Sequence, residues 1–199
     1  MELISVTPEV SKLLTSICFK FLQSINTVSY THLTVDTGTY GDRSPFADCP
    51  ALKEIRLPDG MTRVPDYAFS GLTSLERVVF PASLSEIGSR AFNGCSGLTS
   101  VTLPEQTAGL GSYAFRDCTG LQEILLPESL TRMENGVFDG CAALTSVTLP
   151  GQVTKLNPYV FSGCTSLKEV ILPESLTEID DNAFNSCAAL VFLKCLMIL

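Results

Sequence analysis

A phenylalanine stands at Phe46, Phe69, Phe92, Phe115, Phe138, Phe161 and Phe184, each 23 residues after the last. Leucines at Leu52, Leu75, Leu98, Leu121, Leu144, Leu167 and Leu190 keep the same beat, as do prolines from Pro58 to Pro173. No insertion breaks the register between Phe46 and Leu190. A fixed period between about twenty and fifty residues is the mark of a solenoid. One such repeat cannot bury its own apolar side, and its neighbours complete the core. The beat therefore sets the fold and argues against most enzyme architectures.

Within each repeat the pattern is L-x-x-[VI]-x-[LF]-P. Leu121, Ile124 and Leu126 are expected to point inward and Glu123 and Leu125 outward, as the two-residue period of a strand requires. Stacked strands give a parallel sheet advancing ~4.8 Å per coil. The proline that follows has no amide to donate, so it ends the ladder. A second apolar pair, such as Leu130 with Met133 or Leu176 with Ile179, suits a short strand on another face. The A-F-x-G-C segment suits a turn or a single 3₁₀ turn.

A longer period is superimposed. Tyr67, Tyr113 and Tyr159 lie 46 residues apart, with Arg90, Gly136 and Asn182 at the same place in the alternate coils. Ser100–Val101–Thr102 returns as Ser146–Val147–Thr148, and Glu123–Ile124–Leu125 as Glu169–Val170–Ile171. The array reads as a duplicated two-coil unit.

The repeated residues resemble the BspA-like leucine-rich repeat family, whose 23-residue class reads LPxSLTxIxxxAFxGC. Leu126-Pro127-Glu128-Ser129-Leu130-Thr131 and Leu172-Pro173-Glu174-Ser175-Leu176-Thr177-Glu178-Ile179 carry the resemblance. So do Ala91-Phe92-Asn93-Gly94-Cys95 and Phe161-Ser162-Gly163-Cys164. Leu72 departs from the pattern where a thiol is due, and Pro45 precedes Phe46. The resemblance implies a curved leucine-rich-repeat solenoid in secreted or surface-attached proteins, often adhesins and surface antigens. It implies no catalytic residues and an extracellular or cell-surface location, although the chain shows no export signal.

The expected fold is thus a β-rich leucine-rich-repeat solenoid of parallel strands, preceded by an N-terminal α-helix. Thr7 to about Ile25 reads as that helix, with an apolar face of Val10, Leu13, Leu14, Ile17, Cys18, Phe21, Leu22 and Ile25. Thr7 suits the N-cap, with Pro8 and Glu9 in the first turn. Asn26 to Pro45 is polar and turn-rich and ends in a degenerate first repeat. Residues 1–45 are therefore assigned to a helical cap or leader with that repeat, and 46–199 to the array.

The net charge of −8 and pI near 4.6 provide no basic stripe for nucleic acid and disfavour an anionic membrane. No apolar run reaches the roughly 18 to 20 residues that span a bilayer. Of the eight cysteines, Cys49, Cys95, Cys118, Cys141, Cys164 and Cys187 share one repeat slot, while Cys18 and Cys195 lie outside it. Side chains in one slot point the same way along the axis, which is poor geometry for disulfides. Buried free thiols are the expected reading. No metal and no cofactor is expected: there is no C-x-x-C pair, His32 is the single histidine, and no phosphate-binding loop occurs. That lone histidine also argues against acid–base or Cys–His catalysis, so the chain reads as a non-enzyme.

The outer strand positions form the candidate protein-binding surface. They are Glu54 and Arg56, Arg77 and Val79, Glu123 and Leu125, and Glu169 and Ile171, with Ser100, Thr102, Ser146 and Thr148 between them. Val79, Leu125 and Ile171 form an intermittent apolar row. The Tyr67, Tyr113 and Tyr159 row is the alternative, a set of rings that could stack on sugars. A structural spacer is the third reading. After Leu190 the pattern loses its proline and gains no polar cap, so the last coil is expected to be open to self-association.

Overall fold

The computed structural model describes residues 52–195, together with Ser44, Phe46 and three short strands ahead of the array. Those strands are β1 (Ile4–Val6), β2 (Thr27–Ser29) and β3 (Leu33–Val35). The helix expected over Thr7 to Ile25 lies outside the described residues, as do Cys18, His32, Cys49 and the last four residues.

From residue 52 each coil supplies a longer and a shorter strand. The pairs are β4 (Glu54–Arg56) with β5 (Arg63–Val64), and β6 (Arg77–Val79) with β7 (Glu86–Ile87). They continue as β8 (Ser100–Thr102) with β9 (Gly109–Leu110), and β10 (Glu123–Leu125) with β11 (Arg132–Met133). Then come β12 (Ser146–Thr148) with β13 (Lys155–Leu156), and β14 (Glu169–Leu172) with β15 (Glu178–Ile179). The described part closes on β16 (Phe192–Cys195). Every recorded pairing is parallel, and within the array each residue pairs with the one 23 positions on: Glu54 with Arg77, Val147 with Val170, Arg63 with Glu86.

The fold is thus a β-solenoid of about six turns with two parallel ladders and a third edge of turns. β2 pairs with β4, so a rung of the main ladder comes from the stretch that reads as turn-rich. Three-residue strands need little local propensity when a neighbour supplies the partner groups. After each main strand the proline carbonyl accepts from the amide three residues on, at 3.2 Å from Met61 to Pro58 and 3.0 Å from Leu130 to Pro127. Proline therefore both stops the strand and opens the turn.

The third edge carries the ring spine. Phe46, Phe69, Phe92, Phe115, Phe138, Phe161 and Phe184 stack face to face at centroid spacings of 5.3 to 5.9 Å, with interplanar angles of 7 to 22°. Phe46 to Phe161 are fully buried. Each phenylalanine amide from Phe69 to Phe161 donates to the next coil, for example Phe115 to the Val137 carbonyl at 2.9 Å. The stack is held by the same backbone that carries it.

The inward strand positions behave as the two-residue period requires. Leu121 and Ile124 are buried, while Glu123 and Leu125 are exposed. Leu126 differs: it is only half-buried, as is Phe80 one two-coil unit earlier. Their counterparts Leu57, Leu103 and Leu149 are buried. Leu172, in the same slot, is half-buried too although β14 pairs with β16 there, so the burial follows the two-coil alternation. At Phe80 and Leu126 it coincides with breaks in the main ladder, which is not continuous. It runs as β2-β4-β6, then β8-β10, then β12-β14-β16. Leu57, Leu103 and Leu149 each donate an amide across to the next coil, at 3.0, 3.1 and 2.9 Å. Phe80 and Leu126 make no such bond.

Candidate recognition surface

The thiols are the first candidates for chemistry, because a nucleophile needs an accessible thiolate. The slot places them otherwise. Cys95, Cys118, Cys141 and Cys164 are buried and free. Each Sγ–H donates to the phenylalanine carbonyl of the preceding coil, Cys95 to Phe69 at 3.1 Å and Cys118 to Phe92 at 3.2 Å. Burial pushes the Cys95 thiol up to about 12, and Cys118, Cys141 and Cys164 are also raised, burial being the largest cause. Leu72, which fills the slot one coil earlier, is equally buried. The thiols thus act as small apolar groups with one directed hydrogen bond. Among the described residues no group of three or more His, Cys, Asp or Glu side chains could hold a metal.

The tyrosine row lies at a backbone position where every coil takes a left-handed residue. Here φ is 57° at Tyr67, 52° at Arg90, 59° at Tyr113, 60° at Gly136, 64° at Tyr159 and 62° at Asn182. Such conformations persist in non-glycine residues only where surrounding bonds over-determine them. Here Tyr67, Arg90 and Tyr113 donate their amides to Ser89, Ser112 and Asn135 of the following coils, at 2.9, 2.9 and 2.8 Å. The side chains then stack as a column. The Arg90 guanidinium lies 5.6 Å from the Tyr67 ring centre and 5.2 Å from that of Tyr113, and Arg90 Nη1 donates to the Tyr67 hydroxyl at 2.6 Å. Tyr113 also lies against Gly136, where an added Cβ would meet its ring. The faces of Tyr67 and Tyr113 are thereby engaged by their own neighbours, and Tyr159 is the exposed member at 40%. The repeat places Arg90 in one slot with Tyr67 and Tyr113, but that its guanidinium stacks on both rings shows only once the coils are built.

The short-strand face carries a ladder of charge. Glu86 accepts from Arg63 at 3.2 Å and from Arg132 at 3.1 Å, and Arg132 crosses the intervening coil where that coil has Gly109. Lys155 pairs with Glu178 at 3.0 Å and Asp180 at 2.8 Å. These exposed pairs are individually weak, but they occupy the polar groups of this face.

The main-strand face remains, and it holds the expected surface residues together. Arg56, Arg77, Glu123 and Leu125 are exposed; Glu54, Val79, Glu169 and Ile171 are half-buried. Arg77 approaches Glu54 at 3.9 Å, and Lys194 pairs with Glu169. Along the ladder the third strand position reads Val79, Thr102, Leu125, Thr148, Ile171, so aliphatic and hydroxyl-bearing side chains alternate. Leu125 is the most exposed of the row's aliphatics, at 63%.

Two clefts open on this face, and sequence reasoning does not anticipate them. One, of about 460 Å³, is lined by Phe80, Ala82, Thr102, Leu103, Pro104, Glu105 and Gln106. The other, of about 380 Å³, lies between β10 and β12 and includes Leu125, Leu126, Glu128, Thr148 and Pro150. They sit at the two gaps in the main ladder, β6 to β8 and β10 to β12. Phe80, Ala82, Thr102 and Pro104 correspond to Leu126, Glu128, Thr148 and Pro150, each 46 residues on.

A family model described as BspA type leucine-rich repeat region, with six copies, matches residues 5–118, 39–161 and 86–196. A search of curated proteins gives no match. Among solved structures, the chain is similar to a leucine-rich repeat protein from Bacteroides ovatus ATCC 8483, with 29% identity and a TM-score of 0.71. That likeness covers 82% of this chain and 44% of the other, so the chain spans under half of that protein's length. It is also similar to the T. pallidum leucine-rich repeat protein, with 30% identity, a TM-score of 0.61, and coverage of 69% and 78%. A leucine-rich repeat protein from Eubacterium ventriosum ATCC 27560 shares the fold at 20% identity and a TM-score of 0.59, with coverage of 82% and 52%.

Proposed function

The chain belongs to the BspA-type leucine-rich repeat family, and from that membership we propose that it is a non-enzymatic protein-recognition module that binds through the main-strand face. The observation that carries this reading is the Val79–Thr102–Leu125–Thr148–Ile171 row on the main-strand face, above the buried core. A rigid face needs no ordering on binding, so many modest contacts can add without an entropy penalty for folding. Glu54, Arg56, Arg77, Glu123 and Glu169 flank the row and supply a polar rim. We place the module at the cell surface or outside the cell, in the manner of an adhesin or surface antigen; the family resemblance supports that location. The partner is a protein exposed in the same compartment.

The test is a binding screen against extracellular-matrix and cell-surface proteins, run beside a glycan array. Leu125→Asp combined with Ile171→Asp is expected to weaken any protein hit about a hundredfold, because a charge in the core of an interface must be desolvated. An unchanged affinity in a folded double variant moves the site off this face. Binding to glycans lost through Tyr159→Ala would instead assign the surface to the tyrosine row.

A further inference from the structure

Resting on that reading, we propose that the two clefts form a two-site cradle for an extended, proline-rich basic peptide in the polyproline II conformation, lying along the solenoid axis. Three features of the face converge on this ligand: its spacing, its free backbone donors and its charge.

The spacing comes first. The clefts occupy equivalent places in the repeat, two coils apart, although Ala82 and Gly151 stand where the partner cleft has Glu128 and Glu105. Of the two coil steps between the clefts one is a closed ladder step of ~4.8 Å and the other crosses a gap, so the clefts lie at least ~9.6 Å apart. A polyproline II helix has three residues per turn and rises ~3.1 Å per residue, so it repeats every ~9.3 Å. Successive turns of such a helix present the same side chain to successive clefts. An extended β-strand, repeating every ~6.8 Å, falls out of step.

The backbone donors come next. Phe80 and Leu126 line the clefts, and their amides make no bond to the next coil, unlike those of Leu57, Leu103 and Leu149. A polyproline II chain keeps all its carbonyls free of internal hydrogen bonds. Its prolines also lack amides, so it demands few acceptors in return. Phe80, Leu103 and Pro104 in one cleft, and Leu125, Leu126 and Pro150 in the other, supply the apolar walls that proline rings pack against.

Charge fixes the rest. Glu105 borders the first cleft, Glu123 and Glu128 the second. The ion pairs of this face join Arg77 to Glu54 and Lys194 to Glu169 and leave these three carboxylates out. With a net charge of −8 the whole molecule attracts a cationic ligand. Glu105 and Glu128 fill one slot of successive coils, 23 residues apart, so a lysine or arginine lying between the two clefts would meet both.

The test uses a synthetic repeat of the triplet Pro-Pro-Lys long enough to span both clefts, titrated into the whole chain by fluorescence polarisation. A Gly-Ser-Lys repeat of equal charge is the control, and a β-linked N-acetylglucosamine oligomer the third arm. Saturable binding of the proline repeat is expected, at least tenfold tighter than the control, with amide shifts at Phe80 and Leu126. Thr102→Arg and Thr148→Arg, both at exposed positions, should each weaken it roughly tenfold and together abolish it, because the two sites act in tandem. A repeat only one turn long should lose the advantage of the second cleft. Equal binding of the control, shifts confined to other residues, or binding of the glycan alone would overturn the proposal. A matrix protein that depends on Leu125 and Ile171 but ignores both threonine variants would overturn it while leaving strand-face recognition intact.

Discussion

Phe115 meets a phenylalanine on each side, Phe92 at 5.3 Å and Phe138 at 5.9 Å, and is fully buried. Phe115→Ala is expected to destabilise the fold by ~3 to 5 kcal/mol, measured by chemical denaturation. A loss under about 1 kcal/mol would show that the stack relaxes around the gap. The thiols below the spine give a pH signature. An ordinary thiol ionises at 9.0, whereas buried Cys95 does so only at about 12. Between those values the unfolded chain releases protons that the folded chain retains. The thiol contribution is therefore complete below pH 9 and falls as pH rises through the window from 9 to 12. Denaturation midpoints should drop there, and Cys118→Ala with Cys141→Ala should flatten the drop. A water-soluble thiol reagent should leave the four buried slot thiols untouched until the chain unfolds. At this scale the sequence was highly legible: a slot that holds only phenylalanine, or cysteine and one leucine, is an interior slot. The Sγ–H bond to the phenylalanine carbonyl was not legible, since it depends on how one coil sits on the last.

Turns and strands carry information that no single repeat contains. Gly136 shares its left-handed conformation with three tyrosines, an arginine and an asparagine. Glycine has a second reason to stand there besides the backbone: the Tyr113 ring lies where a Cβ would be. Gly136→Ala should therefore destabilise by ~1 to 2 kcal/mol from the backbone alone, and Tyr113→Ala in the same chain should recover the part due to the ring. A double-mutant cycle in urea measures that coupling. The strand pattern foretold both ladders and the end of each main strand at its proline. It could not foretell the gaps beside Phe80 and Leu126. Both residues satisfy the L-or-F-before-proline rule as well as Leu57 does, and the difference lies in a missing amide bond to the next coil. Nor could it foretell Arg90 filling the space between Tyr67 and Tyr113, the space that a sugar ring would need.

Along the whole molecule each coil is covered by the next, and the last described coil shows what that covering does. Ile179, Val191, Phe192 and Leu193 are exposed at 46, 70, 55 and 50%, while Leu156 and Val170, one coil before Ile179 and Leu193, are fully buried. A polypeptide of these 199 residues is expected to self-associate through that end, and an appended coil with a polar outer face to restore the monomer. Sedimentation velocity over a range of concentrations decides this; a monomer throughout would mean that the final segment folds over its own coil. The cleft spacing bears on how such a protein can change over generations. Misaligned recombination between near-identical modules lengthens or shortens an array, and here the ring spine tolerates only steps of whole coils. A step of two coils, 46 residues, would preserve the alternation as well. Each such event would add or delete one cleft, so heredity would adjust the valency of this surface in integers.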